Sequence, residues 1–235
     1  MKKCVGLSQN AEHFVSIVRT FLTNSIRGEA NVLTYLARNF LIVLAKFLSG
    51  VTVRWFDCQP DTCQRVYFAN HTSHLDPVVV WSSLPPQVRE VTRMVAAKDY
   101  WERGPVRRFL SKNVFNALLI DRTNISIRRT PVVVMNEEMG DQYSIIIFPE
   151  GGRTNGDDVL EFKSGMYHLA KKRPDLEFIP VYLDNMNRIL PRGNVLPVPM
   201  LSRIVFGSPI WIETDEKRDA FLTRAREAVL RLKDL

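Results

Sequence analysis

A chain of 235 residues, 46% hydrophobic and 24% charged, has the composition of a globular protein, not of a disordered one. Its 32 basic against 25 acidic residues leave a formal charge of +7, which favours acidic partners (phosphates, anionic lipid headgroups, nucleic acid, an acidic carrier protein) without choosing a fold. Three cysteines, Cys4, Cys58 and Cys63, are too few for a disulfide framework, and although Cys58 and Cys63 are close enough to pair, reduced thiols in a cytosolic compartment suit the number better.

The start, MKKCVGLSQNAEHF, carries two lysines with no continuous apolar core after them, and so makes a poor secretory signal. Residues 11–26 read as a helix with Phe14, Val18, Phe21, Leu22 and Ser25 on one stripe, and Gly28 punctuates. Residues 31–50 predict a second helix, stopped by Gly50. On it Leu33, Leu36, Phe40, Leu41, Val43, Leu44, Phe47 and Leu48 share one face, while Asn31, Tyr35, Arg38, Asn39, Lys46 and Ser49 gather on the other, with Ile42 the one large intruder. Two cations inside the run fit a helix lying in the headgroup layer better than a span; packing on the protein's own core is the bland alternative.

After Gly50 the rhythm changes. Seven short β-rich runs follow, over 51–56, 66–69, 91–97, 114–120, 144–148, 176–183 and 203–207, separated by helical candidates over 75–83, 103–112, 125–139 and 164–173. A closing helix over 215–233 has Asp215 as its expected cap and Phe221, Leu222, Ala225, Val229 and Leu230 as its inner stripe. The alternation predicts an α/β domain over residues 51–235, with a mostly parallel or mixed central sheet flanked by helices, preceded by an amphipathic two-helix membrane-docking segment over residues 1–50.

Chemistry concentrates where these strands end, the place where open α/β sheets hold ligands. The stretch FANHTSHLD holds two of the four histidines, His71 and His74, and Asp76. His71 and Asp76 are five residues apart and do not meet on a regular helix, but a loop or helix-entry turn brings the carboxylate onto one imidazole nitrogen and leaves the other free to take a proton. Such a dyad, with no nucleophile of its own, suits direct attack by a substrate hydroxyl. The run SIIIFPEGGRT again ends a buried strand in a loop, where Gly151 and Gly152 expose backbone N–H groups and Arg153 supplies a fork of donors for a phosphate. Arg122, after NALLIDR, is a second candidate phosphate ligand. Pro180, inside FIPVYL, suggests an edge strand or a bulge.

Taken together these motifs resemble the lysophospholipid and glycerol-phosphate acyltransferase family. The first motif, NHxSxxD, is matched in full by Asn70 to Asp76. The second, GxxFIxR, is matched by NALLIDR with Asn116 for glycine and Leu119 for phenylalanine. The third, FPEGTRS, is matched by Phe148 to Thr154 with Gly152 for threonine and Thr154 for serine, and a short run Ile179-Pro180-Val181 stands in the fourth position. The resemblance covers roughly residues 50–210.

That resemblance implies an O-acyltransferase in which His71 is the general base toward a glycerol hydroxyl and Asp76 orients and charge-balances it. Arg122, Glu150, Gly151, Gly152 and Arg153 would bind the acceptor, with Lys98 as an added phosphate contact and Pro180 shaping the acyl-donor side. Glu150, which repels phosphate, is assigned to a glycerol hydroxyl or to holding an arginine, and His74 is read as structural. The implied reaction moves an acyl group from acyl-CoA or acyl carrier protein (acyl-ACP) to the sn-2 hydroxyl of lysophosphatidic acid, giving phosphatidic acid. It needs no cofactor beyond that co-substrate, no metal and no nucleic acid, and runs on the cytoplasmic face of an anionic membrane surface. Competing readings are another lysolipid acceptor, a catalytically inactive lipid-binding module, and a zinc hydrolase using His71, His74 and Asp76.

Overall fold

The computed structural model describes residues 28–121, 129–154, 158–189, 198 and 200–235. The helix expected over 11–26, and Arg122, lie outside the described residues.

Among the described residues seven strands form one sheet: β1 (Thr52–Trp55), β2 (Arg65–Ala69), β3 (Thr92–Ala97), β4 (Leu118–Ile120), β5 (Ser144–Ile147), β6 (Glu177–Asp184) and β7 (Arg203–Phe206), in the spatial order β1-β7-β6-β2-β5-β3-β4. Every neighbouring pair is parallel except β6 and β7, so the sheet is mixed. Each strand falls on one of the seven runs read from the sequence, with β2 starting one residue before its run and β6 ending one residue after. The middle strands β2 and β5 are buried along their whole length. That burial is why, after the opening Arg65 and Ser144, their sequences run without polar alternation. Their side chains, and those of β6, still alternate between two cores: Tyr67, Ala69, Ile146 and Ile179 enter one, and Val66, Phe68, Ile145 and Phe178 enter the other.

Helices cover both faces. The first core is closed by α1 (Gly28–Ser49) and α2 (Asp76–Ser83), followed by the short α3 (Pro86–Glu90), α4 (Lys98–Trp101) and α5 (Pro105–Phe109). The second is closed by α6 (Pro131–Met139), α7 (Gly165–Lys172) and α9 (Arg218–Arg231), while α8 (Met186–Ile189) follows β6. Thr130 caps α6 by accepting the Val133 N–H at 3.3 Å. On α9 Phe221, Ala225 and Val229 are buried and Leu222 and Leu230 partly so, as the inner stripe requires.

Several expectations change. The strand read over 114–120 is confined to Leu118–Ile120, because Leu110–Val114 continues α5 as a π-turn and Asn116 adopts a left-handed φ of 45°. Asp215 does not cap α9: it turns left-handed at φ 57°, the N-cap residue is Lys217, and Glu216 instead ties the helix start by accepting Arg224 Nη2 at 2.7 Å. Pro180 is on no edge, since β6 pairs with β2 on one side and β7 on the other. The bulge is there, however. Val181 faces Phe206 and Phe178 faces Ile210, so two β6 residues oppose three of the segment that continues β7. Pro180 O accepts Gly207 N–H at 2.9 Å, which puts the missing proline donor just past the end of β7.

The helix α1 begins at Gly28 and ends at Ser49, with Gly50 at φ 48° closing it. Its packed face is not the predicted stripe. Ile42, Ala45 and Ser49 are buried against the domain, whereas Leu33, Leu36, Phe40, Val43 and Phe47 stand exposed, Phe47 at 73%. Arg38 turns inward, its guanidinium 5.3 Å from the Trp81 ring centre, beside that of Arg89 at 5.4 Å. Burial lowers the pKa of both arginines.

Candidate active site

The chain leaves β2 at Ala69 and enters α2 at Asp76, so the intervening turn sits at the carboxyl end of a central strand. Asn70 anchors it. Its side-chain amide donates to Leu183 O at 2.9 Å and its Oδ1 accepts Leu183 N–H at 2.8 Å, pinning the end of β2 to the end of β6. The turn then folds around one carboxylate. Asp76 Oδ2 accepts the N–H groups of Thr72 at 2.7 Å and Ser73 at 2.8 Å and lies 2.9 Å from His71 Nδ1. Pro77 at the first turn of α2 needs no N–H partner, which suits a helix start placed there. Asp76 is fully buried, and the His71 side chain keeps 18% exposure.

The contact fixes the chemistry of the ring. With Nδ1–H donated to Asp76, the Nε2 lone pair faces away from the carboxylate and is able to take a proton; the carboxylate then stabilises the imidazolium that forms. Phe148 packs on the other side, its ring centre 4.4 Å from that of His71.

The turn after β5 is bound to the first. Glu150 Oε1 accepts His71 N–H at 2.9 Å and Oε2 accepts Leu160 N–H at 3.3 Å. Burial raises the Glu150 pKa, against the two backbone donors, which lower it. Thr154 N–H donates to His71 O at 2.9 Å, so the residue next to Arg153 is tied to the histidine backbone. Gly151 sits at φ 71°, a conformation that favours glycine, and a Cβ there would meet Lys163 Cε at 2.7 Å. Gly152 faces open space. The glycine-rich turn therefore presents its surface outward beside Arg153 while Glu150 faces inward.

The structure thus brings His71, Asp76, Glu150, Gly151, Gly152 and Arg153 into one region where β2 and β5 end. Lys98 opens α4 directly after β3, at the same edge of the sheet. Pro180 lies in β6 opposite Phe68, within the sheet and not in the turns. His71 and His74 do not converge with Asp76 as a ligand set. The His74 ring instead stacks on Tyr100, and among the described residues no group of three or more His, Cys, Asp or Glu is gathered as a metal ion requires. Sequence reading missed Phe148 as the ring against His71, Leu160 as a partner of Glu150, and Lys163 over Gly151. Lys163 donates its own N–H to Pro149 O at 2.8 Å, but nothing in the residue pattern announces that contact.

Comparison with known proteins bears on the family and the fold. The family model described as Acyltransferase matches residues 51–184. The 1-acyl-sn-glycerol-3-phosphate acyltransferase of Salmonella typhimurium is 30% identical over 127 residues, covering 51% of this chain and 46% of that protein. The protein of the same name from Escherichia coli is 30% identical over 112 residues, covering 45% of this chain and 41% of its own length. The chain thus spans about half the length of the curated relatives it matches. The crystal structure of the 1-acyl-sn-glycerophosphate (LPA) acyltransferase PlsC from Thermotoga maritima superposes with a TM-score of 0.68 at 18% identity, covering 96% of this chain and 89% of that one, a likeness of fold.

Proposed function

The chain belongs to the Acyltransferase family, and from that premise we propose that it transfers a fatty acyl group from an acyl thioester to the sn-2 hydroxyl of 1-acyl-sn-glycerol-3-phosphate, giving phosphatidic acid. The observation that carries the reading is the His71 Nδ1 to Asp76 Oδ2 contact of 2.9 Å at the end of a central strand. In this mechanism His71 Nε2 removes the hydroxyl proton as the acceptor oxygen attacks the thioester carbonyl. The new ester C–O bond forms, the C–S bond breaks, and the proton held on His71 passes to the departing thiolate. Asp76 keeps the ring in the tautomer that leaves Nε2 free and balances its charge in the transition state. Arg153, Lys98 and Arg122 supply positive charge for the acceptor phosphate. Gly151 and Gly152 allow close approach, Glu150 holds the histidine turn from behind, and Pro180 lies on the acyl-donor side.

The acceptor's acyl tail lives in a bilayer, and the exposed ridge of α1 supports working from its surface. One helix presents Leu33, Leu36, Phe40, Val43 and Phe47 to solvent, more apolar surface than a soluble helix face leaves uncovered. The same helix is long and apolar enough to cross a membrane by length and composition. Its packing of Ile42 and Ala45 into the core favours a helix lying on a membrane surface over one crossing it, and we propose the cytoplasmic side for that surface. Residues 1–50 then act as the docking segment and 51–235 as the catalytic one.

The test is purified protein offered acyl-CoA or acyl-ACP with a panel of lysolipids, products read by mass spectrometry. Phosphatidic acid formed by wild type and lost in His71→Ala is the expected result. Selective use of a different lysolipid would move the assignment to that acceptor. Absence of any acyl product would leave a lipid-binding module.

A further inference from the structure

Next to His71, on the solvent side, stands a group that the reaction as described does not use. The His74 imidazole stacks on the Tyr100 ring, centroids 5.6 Å apart and planes within 16°. The Arg107 guanidinium lies 4.3 Å from the centre of that same ring. Trp101 meets Tyr100 edge-on at 5.7 Å and meets the buried Phe115 edge-on at 5.9 Å, so the platform is braced to the core. Arg107 itself is exposed, and among the described residues it has no carboxylate partner.

A guanidinium laid on an aromatic ring has surrendered part of its rotamer freedom before any ligand arrives, yet its N–H edges still point outward. Pre-organisation of this kind lowers the cost of binding an oxyanion. His74 sits within the field of both cations: burial lowers its pKa first, and the charges of Arg153 and Arg107 push it down further, with His71 acting in the same direction and Asp76 opposing. His74 and Arg107 thus share the Tyr100 ring, and His74 feels the charge of Arg153 from the turn after β5 as well as that of Arg107 from α5.

We propose that Arg107, seated on Tyr100, is a substrate-binding residue that receives a substrate's phosphate group at the mouth of the His71 site, facing it together with Arg153. The inference rests on the acyltransferase reading for the identity of the substrate. Two sources offer the same chemistry, the phosphomonoester of the lysolipid acceptor and the phosphates of the thioester donor.

The full chain separates them. His74 imidazole C–H signals are followed by NMR while glycerol 3-phosphate is added in one arm and coenzyme A in the other. In wild type one of the two moves the signal and raises the His74 pKa, because a bound phosphate offsets the cationic field. Arg107→Gln weakens that binding roughly tenfold, and Arg107→Lys recovers part of it. In steady-state acyl transfer the matching KM, for acceptor or donor, rises by about the same factor while kcat changes less. Tyr100→Leu shifts the same constant in the same direction, and Tyr100→Phe, which keeps the ring, leaves it alone. Unchanged affinity for both phosphate compounds in Arg107→Gln overturns the proposal, as does a loss of kcat with both KM values unmoved. If wild type transfers no acyl group, the enzymatic reading fails, and the NMR titration still decides the role of Arg107.

Discussion

Glu150 Oε1 accepts the backbone N–H of His71 across 2.9 Å, which joins the turn after β5 to the turn after β2. The carboxylate that breaks the cationic pattern of the FPEGGRT run is therefore spoken for by backbone donors, the second being Leu160 N–H at 3.3 Å. Its pKa is raised by burial, so the folded state holds a proton at this position more tightly than the unfolded chain does. Stability from this group is complete below the ordinary glutamate value of 4.5 and declines as pH rises through the raised native pKa. Glu150→Gln, which keeps one acceptor oxygen, removes that dependence. The difference in Tm between the variant and wild type should drift in favour of the variant as pH rises across that window, measured by thermal melts at stepped pH. A difference that is flat with pH would contradict it.

The dyad makes the largest functional prediction. His71→Ala should lower kcat by about 10²–10⁴, the range for loss of a general base. Asp76→Ala should lower activity as well and also destabilise. It strips the Thr72 and Ser73 N–H groups of their shared acceptor, at about 1–3 kcal/mol for each buried donor left unpaired. Product assays with parallel denaturant melts separate the two effects, since the first variant should melt near wild type and the second should not.

Two adjacent glycines should respond in opposite ways. Gly151→Ala forces a side chain into a left-handed φ of 71° and against Lys163, although the lysine is flexible enough to move aside. The backbone term alone costs about 1–2 kcal/mol. Gly152→Thr has open space around its Cβ and should change stability by less than about 0.5 kcal/mol. Urea melts of both variants check the contrast.

The two faces of α1 should also separate. Phe40→Glu and Phe47→Glu alter side chains that are 65% and 73% exposed, and should weaken flotation with anionic vesicles while leaving Tm close to wild type. Ile42→Ala, on the packed face, should cost about 2–5 kcal/mol as a core truncation. Vesicle binding undiminished in Phe40→Glu/Phe47→Glu would remove the bilayer role from this face.

Much of the architecture was legible along the chain because it is local. A β-branched apolar run such as SIIIF suits a buried strand, Gly50 can end a helix, and the spacing from Asn70 to Asp76 is short enough for a single turn to close on one carboxylate. The third motif was legible for the same reason, since its residues are contiguous in one turn, although what Glu150 holds was not. What the sequence determined by itself was therefore the order of most strands and helices among the described residues and the positions of the residue types that acid–base and phosphate chemistry require. The tertiary structure decided which surfaces and loops meet. The face of α1 turned to the core holds Ile42, Ala45 and an inward Arg38, because Trp81 on α2 offers a ring for the guanidinium; the strongest apolar stripe is left outside. Pro180 sits inside the sheet because a bulge in the segment after β7 absorbs its missing donor. Glu150 finds His71, and Arg107 finds Tyr100 and His74, through contacts between segments brought together by strand pairing and packing, which no periodicity within either segment records.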